Sequence, residues 1–239
     1  MKERGMIFNA EMVRAILDGR KTQTRRIMKV QPDTPEFGVR RIIESSISKE
    51  IGMYFWSQED ARGIKARSKQ FSFPYGDVGD HIWVRETWAE AGAGAPDQKL
   101  YRANYPDHVP AHYENVPPAD EIRWTPSIHM PRWASRLTLE ITGVRVERLD
   151  KISEEDAVAE GMQGVICRSC KGDPNYSTTQ YDPDTLAAVD EISCQSCSSN
   201  RSKFFSLWDS IYGEGNHCIG DWVWVIEFKV VPNVQDNPA

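Results

Sequence analysis

The 239-residue sequence contains no run approaching 18 consecutive apolar residues, which excludes a transmembrane helix. Residues 1–5 lack the apolar stretch of a signal peptide, so the expectation is a soluble, cytoplasmic chain. An excess of positive charge is missing as well: 29 Lys and Arg against 35 Asp and Glu leave a formal charge of −6. That balance argues against a protein that coats duplex DNA through bulk charge, and any nucleic-acid contact has to be local, in a basic cleft. Cysteine is scarce, with five in all, and four of the five fall into two closely spaced pairs. Aromatic residues, at 10%, are ordinary for a globular chain, so only the placement of individual rings is informative.

The 40% of hydrophobic residues suffice to bury a core. They predict one α+β domain over residues 1–239, with a surface excursion at 89–127 and an insertion at 163–200. The most concentrated feature is the segment 17–26, LDGRKTQTRR, with four cations and two hydroxyls in ten residues. It follows a helical pattern in which Asn9 can cap, Glu11 supplies a first-turn carboxylate, and Met12, Val13, Ile16 and Leu17 recur at helical spacing. Gly19, just past the last periodic residue, can take the left-handed conformation and stop the helix. The basic segment is therefore expected to hang from a helix end.

Residues 31–70 read as a meander of short strands and loops. Residues 80–88 alternate as a strand with Ile82, Val84 and Glu86 on one face and Trp83, Arg85 and Thr87 on the other. If the apolar face points inward, Glu86 follows it, to be paired with a cation or to line a pocket. The excursion at 89–127 is rich in Ala, Gly and Pro. Beyond it, His129, Arg132 and Trp133 either line the mouth of a cleft or belong to a turn closed by Met130-Pro131. Leu137, Leu139 and Ile141, then Val144 and Val146, mark a strand broken at Gly143, as by a bulge, of the kind that builds a barrel wall. Ser153 with Glu154, Glu155 and Asp156 starts a short helix that ends at Gly161, leaving Glu160 where the helix dipole disfavours a carboxylate. Phe204, Phe205, Leu207, Trp208 and Ile211 form a last amphipathic helix. Residues 221–231 are the most apolar strand, expected to be central and closing, before a polar, frayed tail.

Cys167-x-x-Cys170 and Cys194-x-x-Cys197 bracket residues 171–193. Two such knuckles can aim four sulfurs at one tetrahedral zinc ion, and with every ligand supplied by protein the metal would be structural. The alternatives are a redox dithiol or disulfides. The intervening loop has little core of its own without a metal. Cys218 reads as an ordinary thiol.

Five pieces, Gly19-x-Lys21-x-x-x-x-Arg26 with its preceding helix, the Gly79-Asp80-x-Ile82-Trp83-Val84 strand, the acidic helix ending in Glu160-Gly161-Met162, and the Val225-Ile226-Glu227-Phe228 strand, occur in the order of the ASCH domain family. The sequence resembles its longer, phage- or prophage-encoded members. That resemblance implies a PUA-like β-barrel with flanking helices, and a cleft beside the first helix for RNA or a modified nucleoside. It also implies amidohydrolase chemistry on N4-acetylcytidine, with Lys21, Thr24 and Glu160 as the matching residues. Arg25 or Arg26 could hold an oxyanion or a phosphate. Trp83 and Trp88 could stack a base, although each suits a core equally well. In an extended strand Lys21 and Thr24 leave on opposite faces, so the triad calls for a bend or helical turn between them. The other reading is a non-catalytic module for RNA or a modified nucleobase.

Overall fold

The computed structural model describes residues 1–34, 36–92, 95, 97–182 and 184–232. The expected frayed tail and the side chain of Cys218 lie outside the described residues. The strands in chain order are β1 (Glu3–Ile7), β2 (Gln23–Ile27), β3 (Gly38–Arg41), β4 (Tyr54–Asp60), β5 (Gly63–Arg67) and β6 (His81–Arg85). They continue with β7 (Trp88–Glu90), β8 (Lys99–Tyr101), β9 (Thr138–Arg148), β10 (Ser177–Tyr181), β11 (Ala188–Ser193) and β12 (Trp222–Val231). Among the described residues three α-helices, α1 (Ala10–Leu17), α2 (Glu154–Ala159) and α3 (Asn200–Tyr212), and several short 3₁₀ turns join them. The fold is thus α+β and rich in sheet. No described helix is long and apolar enough to cross a membrane. The chain forms two compact units, one of Met1–Arg14, Arg25–Glu147 and the stretch from Trp222, the other of Ala15–Thr24 and Arg148–Asp221.

In the first unit the main sheet runs in the order β1-β6-β9-β12-β2, with β1 parallel to β6 and β6 antiparallel to β9. Among the described residues it stays open, with β1 and β2 at its edges, so the barrel wall inferred from the β9 pattern does not close on itself. The alternation in β6 is as expected: Ile82 and Val84 are buried, Trp83 and Arg85 half-buried. Glu86 does follow the apolar face inward. β9 runs through Gly143 as one strand, contrary to the expected break. A Cβ at Gly143 would lie 2.6 Å from the Glu227 carboxylate, the mobile end of an exposed side chain. β12 carries the densest core, with Val223, Trp224, Val225, Ile226 and Phe228 all buried, and sits between β9 and β2. Residues 38–67 form the antiparallel meander β3-β4-β5. The excursion holds the β7-β8 hairpin, whose Trp88 packs with Tyr101, Met130 and Ala134 and is core.

The turn into β6 is held by Asp80, whose carboxylate accepts from the backbone N–H of Lys2 at 2.7 Å and of Asp77 at 3.0 Å. Those two N–H groups, the Lys2 bond foremost, hold the Asp80 carboxyl below its ordinary range against the opposing effect of burial. Its stabilisation is therefore complete above the unfolded-state value and is lost as pH falls through the folded one. Asp80→Ala is expected to cost about 1 kcal/mol at neutral pH, with the gap to wild type narrowing on acidification. Urea titrations at several pH values measure both; a gap independent of pH would refute the assignment.

The second unit is built on α2 and α3. Ser153 caps α2 by accepting from Asp156 N–H at 3.0 Å, and Ile152, Ala157 and Met162 are buried. Phe204, Leu207 and Trp208 are the buried stripe of α3. Ile211, expected on that stripe, is 47% exposed, lying in the last turn where the packed face has run out before Gly213. Glu154 accepts from the Asn200 and Arg201 N–H groups at the start of α3.

Candidate functional site

α1 begins as expected, with Asn9 Oδ1 accepting from Met12 N–H at 2.8 Å. Met12, Val13 and Ile16 are buried, whereas Leu17 is 41% exposed. Gly19, at φ 71°, turns the chain out of the helix, and the N–H groups of Arg20 and Lys21 both return to Ala15 O. The segment that follows is a cap for the far end of α2. Arg20 donates to Gly161 O at 2.8 Å, Lys21 Nζ to Glu160 O at 3.1 Å, Thr22 N–H to Ala159 O at 2.8 Å and Gln23 Nε2 to Asp156 O at 2.9 Å. Four consecutive residues thereby satisfy carbonyls at the negative end of a helix dipole, where cations are favoured.

The same geometry resolves the oddity of a carboxylate at that helix end. Lys21 Nζ lies 2.6 Å from Glu160 Oε2, and the two residues also form an isolated β-bridge. Both are buried, and Gly161 makes the approach possible: at φ 91° a Cβ would stand 2.8 Å from Ala15 Cβ and 3.1 Å from Lys21 Cβ. Thr24 is wholly buried and its hydroxyl has no hydrogen-bond partner. A buried polar atom left in that state calls for an explanation. The bend expected between Lys21 and Thr24 is not formed. The chain passes from the bridge at Lys21 directly into β2 at Gln23 with no helical turn, each residue from 20 to 23 being tied to the end of α2 by one donor.

The remaining predicted side chains belong to the first unit. Arg25 is buried and pairs with Glu147 at 3.0 Å, while Arg26 lies 5.1 Å from the Phe8 ring centre and donates to Ile7 O. Glu86 forms a two-bond fork with Arg136, at 2.9 and 3.0 Å, and Arg136 stacks 4.1 Å from the centre of Tyr101. Burial raises the Glu86 carboxyl, and the Arg136 hydrogen bonds and charge only partly offset it. Trp83 lies under the Arg85 guanidinium at 5.4 Å. His129 is exposed in a short 3₁₀ turn, and Arg132 is tied to Glu3 at 3.0 Å and to Thr138. Sequence reasoning missed three partners: Arg20, Gln23 and Arg136. Gln23 was legible in principle as an uncharged residue inside a basic run. Arg136 had a weaker signal, its place one residue before the β9 alternation.

The four cysteines converge. All four sulfurs lie within 4.8 Å of one another, none is in a disulfide, and three are buried. The Sγ–Sγ distances of 3.7 Å for Cys167–Cys194 and 3.8 Å for Cys170–Cys197 can be tested against coordination geometry. A tetrahedron with metal–sulfur bonds of about 2.3 Å has edges of about 3.8 Å. The donor set therefore fits a tetrahedral metal ion. Lys171, at φ 52°, and Gly172, at φ 84°, turn the first knuckle back on itself, with Lys171 N–H bonded to Cys167 O. Burial raises the Cys167 thiol, but N–H groups of Cys170 and Ser169 and the adjoining thiols outweigh it and bring it down to about 7. Cys197, beside Cys194 and itself desolvated, is pushed up to about 12. Opposed shifts of this kind arise where clustered sulfurs cannot all carry negative charge, and a bound cation removes the conflict.

Comparison of the chain with protein-family models, with curated proteins and with solved structures finds no match in any of the three.

Proposed function

We propose that the chain is an ASCH-type protein of PUA-like fold that acts as a cytoplasmic hydrolase on N4-acylated cytosine nucleosides or bases, with a structural zinc ion in its cysteine knuckles. The observation that carries the catalytic part is the buried Lys21–Glu160 pair at 2.6 Å together with the buried, unpartnered hydroxyl of Thr24. To serve as a base Lys21 must first lose a proton, and Glu160 is the acceptor within reach; in a desolvated setting that transfer leaves a neutral amine and a neutral acid. The amine then takes the Thr24 proton as the oxygen attacks the acyl carbonyl. Collapse of the adduct breaks the bond to N4, with a proton returned to the leaving amine. Water releases the acyl group from Thr24 in a second step. For this sequence the strand between Lys21 and Thr24 has to change shape when substrate binds.

The extended chain and the burial of all three side chains favour a second reading, a non-catalytic module for RNA or a modified nucleobase, in which the pair only caps α2. Incubation with N4-acetylcytidine separates the two. The hydrolase reading expects cytidine release that falls at least about a hundredfold in Lys21→Ala and Thr24→Val, the scale of a lost acid–base group. No turnover on a panel of N4-acyl cytosines leaves the binding module.

A further inference from the structure

We propose that the first unit carries a binding site for a planar aromatic ring bearing an anionic group, of the nucleoside monophosphate type, in the cavity walled by Met28, Met53, Phe71, Tyr75 and Trp224, with Lys29 in its lining. The cavity measures about 520 Å3, inside the range of roughly 300–1,000 Å3 typical of small-ligand sites. None of these residues belongs to the Lys21–Glu160 centre, so the site stands or falls without it.

The aromatic wall is set before any ligand arrives. Phe71 is locked to Tyr54 by a pair of backbone hydrogen bonds, each 2.8 Å, and their rings stack. Trp224 meets Tyr54 edge-on at 4.8 Å and Phe73 at 5.0 Å, and Phe73 in turn braces Tyr75 at 5.5 Å. Rings held by one another lose little freedom on binding, which removes one of the main costs of association. Met53, half-buried, adds polarizable, adaptable surface for a flat ligand.

Charge then selects the ligand. Lys29 is exposed, is the single charged residue in the lining, and has no ion-pair partner among the described residues. No carboxylate lines the cavity, so an organic cation meets no counter-charge there. A neutral ring would use the wall and leave the ammonium unanswered. A ring with an attached phosphate uses both, and Gln70 and Ser72 in the lining offer donors and acceptors to the edge of a base. A free nucleotide and a nucleotide within single-stranded RNA present the same chemistry.

Isothermal titration of the full chain with the four ribonucleoside 5′-monophosphates, the matching nucleosides and a short single-stranded RNA tests the site. At least one monophosphate is expected to bind saturably, with about fivefold weaker affinity in Lys29→Ala, the scale of one exposed charge pair. Nucleoside affinity should not change in that variant. Val30→Trp, placed at a 43% exposed lining position, should fill the cavity and abolish binding while the circular dichroism stays native. Tighter binding of RNA than of any monophosphate identifies the polymer as the source, and the reverse order identifies the free nucleotide. Absence of saturable binding by every probe, or binding unaltered in both variants, overturns the site, whatever the outcome with N4-acetylcytidine.

Discussion

Cys194→Ser is expected to abolish metal binding and to unfold the cysteine insertion. Apparent binding energies of structural four-cysteine sites run to about 10–16 kcal/mol, and in such sites that energy is folding energy. Little else holds this insertion together. Its buried cluster consists of Cys167, Cys170 and Cys194, with Tyr176 and Cys197 packed against it, and every β10 residue is exposed. Removing one ligand leaves three sulfurs unable to close the tetrahedron, and among the described residues of the insertion no other hydrophobic cluster stands in for them. Elemental analysis of the purified chain should give one zinc per protein in the wild type and less in the variant. Iron with the same four sulfurs would colour the protein. Limited proteolysis should then cut the variant within residues 171–193 while the wild type resists. Substoichiometric metal with four readily alkylated thiols in the wild type would dismiss the metal site. Unchanged protease resistance in Cys194→Ser would dismiss its structural role.

How much of this could be read without coordinates depends on the range of the interaction concerned. The cysteine pairs were legible because a knuckle is local: two cysteines with two residues between them can turn both sulfurs toward one point, and two such pairs can share one ion. The β6 face was legible because side chains alternate by geometry, so burying Ile82 and Val84 carries Glu86 with them. Its partner Arg136 lies fifty residues away and comes only with the pairing of strands. The same limit applies at the basic segment. Its helix stop at Gly19 was local and correct, but what the cations do next was decided by α2, which begins more than a hundred residues later. A carboxylate at a helix end, which sequence alone could only mark as irregular, turned out to be paired by a lysine that also caps the helix.

That pairing makes the second large prediction. Lys21→Met and Glu160→Leu are each expected to destabilise the second unit by about 3–5 kcal/mol, the cost of leaving one buried charge or its partner uncompensated. In the double variant, Lys21→Met with Glu160→Leu, no charge is left stranded, and most of the loss should be recovered. The α2 carbonyl of Glu160 would still lose one donor, so recovery should stop about 1 kcal/mol short of the wild type. Hydrogen exchange at the amides of Thr22, bonded to Ala159 O, and of Gly161, bonded to Val158 O, reads the joint directly and does not depend on a two-state transition of the whole chain. If the single variants lose little protection, or if their effects simply add in the double variant, the pair contributes no coupling and its burial has another cause. Stability and chemistry also separate here. A double variant that recovers its amide protection but releases no cytidine from N4-acetylcytidine assigns the pair a catalytic duty beyond capping. Equal recovery of both would make Lys21 a cap and nothing more.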